Sequence, residues 1–445
     1  MAATVLVNSN LIFWLHAIIF YNMNRKSLIY TIIIIASIIS ILLVCFGIGG
    51  KTSDSSKVEQ YKEYSDLDNI SIWLATDIHY IDPNLTDGGE YYQRMVESGD
   101  GKYMYGCEEI TDEFISQVIE AHPSALILSG DITFNGARDS HIALANKLKA
   151  ISDAGIPVIA LPGNHDLTVG RAAKFSGDSY ELVDSIDASE FLDIYSDYGF
   201  SNAVARDDTS LSYVTEIAPN LRVLVVDVNT VPGMSGILTN STLDFVEEQL
   251  KQAKEDKAYV IGVTHQTLLE HSELTSQGMT FINNDKLLDL YEKYDVLMNL
   301  SGHMHIQHIK ESNDGFVEIA TGALMTAPNY HGEISLNGRR MTYKAVPTIT
   351  DEKLSVAAEG FLWTNAYRQA MELVETQDNS ADLAGYFADF NVNYIAGRPD
   401  LIQWDSELNK QWEETDSFVP VYFQVVADEM EASKQQNFSE YTIKW

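Results

Sequence analysis

An α/β fold is predicted for most of this chain by two regularities. Short apolar runs of strand length recur along it, and amphipathic stretches of helix length lie between them. A third observation gives the pattern a purpose: the runs end on acidic, amide or imidazole residues. Residues 70–75 lead into Asp77-Ile78-His79, and 125–128 into Ser129-Gly130-Asp131. Residues 157–161 lead into Gly163-Asn164-His165-Asp166, 258–263 into His265, and 296–300 into Gly302-His303-Met304-His305. Apolar runs this long, bounded by turn residues, are expected as buried strands. The stretches 109–121, 138–153, 242–255 and 284–293 have helical periodicity. Strand then helix, repeated, predicts a sheet whose functional residues lie beyond the C-terminal strand ends.

Taken singly, these blocks carry little. An Asp-x-His is an ordinary surface turn, and His-x-His is common on exposed strands. Five blocks in this order, each at a strand end, are a poor fit to chance. Together they offer carboxylate, amide and imidazole donors for two divalent ions, with a histidine to spare. That inventory suits phosphate-ester hydrolysis, which needs an activated water and positive charge on the phosphoryl oxygens. The donors are nitrogen and oxygen, with no cysteine among them, so Mn, Fe or Zn is favoured over Cu(I) or an iron–sulfur centre.

The blocks resemble the calcineurin-like metallophosphoesterase superfamily, whose pattern is D-x-H, G-D, G-N-H-[DE], H and G-H-x-H. The resemblance implies a four-layer α/β/β/α sandwich. It implies that Asp77, His79 and His305 hold the first metal, that Asn164, His265 and His303 hold the second, and that Asp131 bridges them. His165, flanked by Asp166, is then catalytic rather than a ligand; a hydroxide held between the metals attacks phosphorus. Purple acid phosphatases of the superfamily carry Asp-x-Gly first and a metal-binding Tyr after the second block, where this chain has His79 and Phe134. Its protein phosphatases carry Arg-Gly after Asn-His, where this chain has Asp166-Leu167-Thr168.

Around the blocks, Gly130-Asp131-Ile132-Thr133-Phe134-Asn135-Gly136, Asp100-Gly101-Lys102 and Gly302-His303-Met304-His305-Ile306-Gln307 look similar to bacterial class III cyclic nucleotide phosphodiesterases. This resemblance implies a small phosphodiester substrate, a cyclic nucleotide first, with Asn135 of the 130–136 stretch as a substrate-side candidate; His271, a histidine outside the five blocks, is a second candidate. A nucleotide phosphomonoesterase, a pyrophosphatase or a phospholipid-headgroup hydrolase is the alternative within the class. A catalytically silent surface binding module is the alternative outside it, and the intact His165 argues against that.

Composition bounds the partners. The 445 residues carry a net charge of −35, so a basic groove for polymeric nucleic acid is not expected. Oligomeric state is not legible. From Ser27 to Gly50 there is no charged residue, and Arg25-Lys26 precede the run. That length suits a membrane span of roughly 20 residues, with the basic flank cytoplasmic and the rest extracellular. A cleaved signal peptide and secretion is the alternative. Residues 1–26 are then a cytoplasmic start, of which 1–22 read as a start-site artefact before Met23. Polar residues 51–68 are expected as a tether. Cys45 and Cys107 offer the exported part no disulfide framework.

The catalytic domain is expected over 69–349. Within it, residues 80–108 form a long Gly-, Asp- and Tyr-rich loop, expected either as a lid over the site, with tyrosines to stack on a base or sugar, or as a mobile insertion with no contacts. Asn337-Gly338, flanked by alternating apolar residues, predicts a two-residue hairpin turn. From 350 the pattern turns helical, over 357–376, 381–395 and 407–432. A small helical C-terminal domain is expected over 350–445.

Overall fold

The computed structural model describes residues 64–445 apart from 168–169, 232–233, 276–277 and 434. The predicted cytoplasmic start, the membrane segment and the tether up to residue 63 lie outside the described residues. Among the described residues no helix is long and apolar enough to cross a membrane.

The first sheet grows from β1 (Leu67–Ala75), β2 (Ala125–Ser129) and β3 (Val158–Leu161), which run parallel. Helix α1 (Glu90–Glu97) and then α2 (Cys107–Ala121) follow β1, and α3 (Arg138–Asp153) follows β2. β2 and β3 are buried on both faces, which is why they are continuous apolar runs rather than alternating ones. Leu67 and Asp68, placed in the tether by sequence, belong to β1. A hairpin, β4 (Ala173–Ser176) and β5 (Ser179–Leu182), stands apart from both main sheets. α4 (Ala188–Ile194) follows, and then the second sheet begins. Its strands are β6 (Ala205–Arg206), β7 (Tyr213–Ala218), β8 (Leu221–Val225), β9 (Tyr259–Val263), β10 (Asn299–Ser301), β11 (His308–Glu311) and β12 (Val317–Ala320). They lie in the order β11-β12-β10-β9-β8-β7-β6, with β8, β9, β10 and β12 parallel.

Alternation along the strands decides what packs where. Val223, Val225, Ile261, Val263 and Ile319 of the second sheet share one core with Ile72, Leu74 and Leu126 of the first. Leu224 and Val260 face the other way, into a core with α5 (Asn240–Glu255) and α6 (Asn284–Lys293). On the first sheet's far side Trp73 meets Phe114 of α2. Helix, sheet, sheet, helix is therefore the layer order, the sandwich that the resemblance implies.

β13 (Tyr330–Gly338) pairs antiparallel with β1 and turns into β14 (Arg340–Pro347). Because Asn337 pairs with Arg340, the two loop residues are Gly338 and Arg339, one place later than predicted. The C-terminal expectation needs a larger correction. Helices α7 (Glu352–Val374), α8 (Ser380–Ile395), α9 (Ser406–Glu413) and α10 (Val419–Ala432) do form, around a core of their own. Yet the chain then returns as β15 (Glu440–Lys444), pairing with β14 at the edge of the first sheet. Trp445 beyond it is buried against Tyr259. The helices therefore lie in the chain between two paired strands of the first sheet.

Candidate metal centre

The strands that precede the blocks end in register. Ala75 pairs with Leu128, Ser129 with Leu161, and Val263 with Leu300. Their exit loops are then laced together: Asp77 N donates to Gly130 O (3.0 Å), His79 N to Asp131 O (2.9 Å) and Gly302 N to His265 O (3.0 Å). Asp77, His79, Asp131, His303 and His305 all have positive φ, from 46° to 67°. Non-glycine residues rarely adopt that conformation, and a cluster of them marks a site held in shape by its surroundings. Two glycines of the blocks are required by space. A Cβ at Gly163 would collide with Asp131, and one at Gly302 with Thr76 and Asp77.

Two donor clusters result. Asp77, His79, Asp131 and His305 present ligand atoms within 4.8 Å of one another, and so do Asp131, His265 and His303. Asp131 belongs to both. His79 Nε2 and His305 Nε2 stand 3.2 Å apart, with His305 Nε2 3.0 Å from Asp77 Oδ1. In the second cluster His265 Nε2 is 3.3 Å from Asp131 Oδ2 and 3.2 Å from Asn164 Oδ1. Carbonyls, which only accept, set the tautomers. His265 Nδ1 donates to Ser129 O (2.9 Å) and His303 Nε2 to Gly278 O (3.0 Å). The other ring nitrogen of each is left for a cation, the arrangement expected of metal-binding histidines. Asp77 Oδ2 is spent on Thr76 Oγ1 (2.7 Å) and His303 N (2.9 Å), which leaves Oδ1 toward the cluster. Buried carboxylates facing several ring nitrogens across a shared point fit two cations.

The carboxylates also act on the ring charges. Burial alone would depress the His265 imidazole, but Asp131 and Asp77 hold it up at about 9. Burial likewise opposes the charge on His305, which Asp100 and Asp77 raise to about 10. A cation at either ring would therefore have to displace a proton. Metal affinity should be highest above these values and fall as pH drops through them. Calorimetric titration with Mn²⁺ from about pH 9 down to about pH 6 should show progressively weaker binding with proton release. Affinity independent of pH would contradict this ligand set.

His165 stands beside the clusters without joining either. Its backbone N–H donates to Asp131 Oδ1 (2.7 Å), and its Nδ1 donates to Phe134 O (2.7 Å). Nε2 lies 3.9 Å from Asp131 Oδ2, and 39% of the side chain is exposed. A histidine held through Nδ1 and partly exposed suits proton transfer.

Two residues expected to act at the site are engaged by other partners. Asp166 was expected to act beside His165, but its carboxylate is buried and accepts from Gly163 N, Ile132 N, Thr133 N and Thr133 Oγ1. It ties the second block to the third. Its loss would strand buried donors at roughly 1–3 kcal/mol each. His271, expected near substrate, is buried between His308 (3.0 Å) and Glu318 (3.2 Å), in neither donor cluster. Asn135 is half-buried, and its amide donates to Ala173 O (3.1 Å), which ties the β4–β5 hairpin to the loop after β2.

The long first loop is corrected as well. It holds α1, and its tyrosines pack on protein: Tyr91 on Phe175 and Tyr180, Tyr103 and Tyr105 on Phe361. The aromatic ring beside the ligands is Phe134, edge-on to His79 at 6.5 Å.

Sequence reasoning missed two supports. Asp100 accepts from His305 Nδ1 at 2.8 Å. Asn229, after β8, donates to Pro162 O (3.2 Å) and exchanges amide bonds with Gln266 (3.0 and 2.8 Å), joining the third block to the fourth.

The calcineurin-like phosphoesterase profile matches residues 70–307. No match was found among curated proteins. Among solved structures, a dimetal phosphatase from Danio rerio is similar at 16% identity and TM-score 0.47, covering 63% of this chain and 96% of its own. A purple acid phosphatase from yellow lupin (Lupinus luteus) seeds is similar at 14% identity and TM-score 0.42, covering 64% and 52% respectively.

Proposed function

Because the chain belongs to the calcineurin-like phosphoesterase family, we propose that it hydrolyses a small phosphodiester, a cyclic nucleotide first among candidates. The observation that carries the reading is the pair of donor clusters sharing Asp131. Asp77, His79, Asp131 and His305 would hold one divalent ion, and Asp131, Asn164, His265 and His303 the other. The bound pair supplies an activated water and neutralises charge on the phosphoryl oxygens. The N/O donor set suits Mn, Fe or Zn.

The chain's own residues do the rest. Ser129 O and Gly278 O hold the rings of His265 and His303 in the binding tautomer. Phe134 O holds His165 so that Nε2 can carry a proton to the leaving oxygen. Phe134 gives a base or sugar an apolar edge. The likeness of 130–136 and 100–102 to class III cyclic nucleotide phosphodiesterases favours the diester. So does the net charge of −35, which penalises a singly charged diester less than a doubly charged monoester.

One feature favours the second reading, a nucleotide monoesterase or pyrophosphatase. Lys102, with 14% of its side chain exposed, bonds Asp100 at 3.1 Å beside the first cluster, and an ammonium there suits an extra phosphate charge. Hydrolysis of a panel by metal-reconstituted protein decides between them: cyclic mononucleotides, a nitrophenyl diester, a nitrophenyl monoester and a nucleic-acid polymer. The diesters should be cleaved fastest, and the polymer should be excluded by the acidic surface. Faster monoester cleavage would favour the second reading.

We also place the enzyme outside the cytoplasm, attached through the apolar stretch 27–50 or secreted after its removal. Protease protection in intact cells tests this.

A further inference from the structure

We infer that the helical insertion is a brace for the first donor cluster, acting through the short stretch from Gly99 to Lys102. The inference rests on the metal reading of Asp77, His79, Asp131 and His305. Asp100 is the partner of His305 Nδ1, and such a partner orients a ligand ring and raises its basicity. Yet Asp100 lies on a loop between two glycines, with 48% of its side chain exposed. Glycines on both sides leave the backbone too free to fix a ring unaided.

What fixes it comes from α7. Asn365 Nδ2 donates to Gly99 O at 2.9 Å, and Gln369 Nε2 to the same oxygen at 3.3 Å. Arg368 bonds Glu97 O and holds the Asn365 carbonyl at 2.6 Å. Gly101, at φ 92°, lies against Leu362, where a Cβ would strike that side chain. Asn365 is 5% exposed, and a buried amide is costly unless bonded. Its bonds go to Gly99 and Arg368. On the loop's other side Tyr103 N donates to Met325 O (2.7 Å), and Lys102 pairs with Asp100. A helix that begins well after the last ligand thus controls the rotation of His305. Asp100 acts on it directly and Asn365 through Gly99; both are positioning residues.

Mn²⁺ titration of the full-length protein by calorimetry, with circular dichroism and melting as controls, tests this. Asp100→Ala should weaken one of two ions by about 10–100-fold and leave the other near wild type. Asn365→Ala should weaken the same ion by less, and should add nothing in an Asp100→Ala background, because both act through one contact. Equal weakening of both ions, additive losses, or unchanged binding by folded Asn365→Ala would overturn the inference. If Asn365→Ala does not fold, Gln369→Ala, at an exposed position, carries the same test: a smaller loss at that ion alone, absent when Asp100 is already Ala. Wild-type protein that binds no Mn²⁺ would instead remove the metal reading, and the brace with it.

Discussion

Asp131→Asn should lose more activity than any other ligand substitution, and its metal content should fall below two ions per chain. The reason is that Asp131 alone belongs to both donor clusters. An amide keeps the size and the acceptor for His165 N, so the fold should survive, but it removes the charge that holds two cations close together. Changes to outer-shell partners cost about 10–100-fold in affinity or activity, and a ligand shared by two ions should exceed that. Atomic absorption alongside steady-state kinetics reads both effects. Two ions retained with normal turnover would remove Asp131 from the bridging role.

His165→Ala separates chemistry from metal binding. Both ions should remain, since His165 is in neither cluster, while turnover falls by about 10²–10⁴-fold, the usual contribution of a general acid. The loss should shrink for a nitrophenolate leaving group, which needs no proton, and be full for a nucleoside alkoxide. Equal losses for both would assign His165 to positioning or charge alone.

Most of the site was legible before the structure because its residues follow strand ends, and strand ends show in an apolar run. Asp77, Asp131, Asn164, His265 and His303 each stand two or three residues past such a run, so local pattern and chemistry coincide. β8 and its loop did not stand out. Leu221–Val225 is as apolar as its neighbours, but Asn229 after it contacts other blocks rather than the clusters.

Most of the differences share one cause: a side chain's partner lay far along the chain. Asp166 looked like a companion to His165, but besides Gly163 N nearby it is held by Ile132 N and by the backbone and hydroxyl of Thr133, more than 30 residues earlier. His271 was conspicuous as a lone histidine, but Glu318 and His308 claim both ring nitrogens. Asp100 was noticed only as part of a resemblance, with its contact to His305 some 200 residues away. The tyrosines of the first loop looked free because Phe361, which packs on two of them, comes from the inserted helices. The C-terminal segment is helical as expected, but the helix expected over 407–432 is divided into α9 and α10, and the five-residue β15 after them carries too little pattern to announce that the chain returns to the sheet.

The proposed centre is a pair of cations sharing Asp131. Anomalous diffraction from crystals of the Mn²⁺-loaded protein measures it directly. Two peaks roughly 3.5–4 Å apart are predicted, the separation of two-metal hydrolytic sites. Asp131 should touch both, His79 and His305 one, and His265 and His303 the other. A single peak, or two peaks with no common carboxylate, would contradict the account.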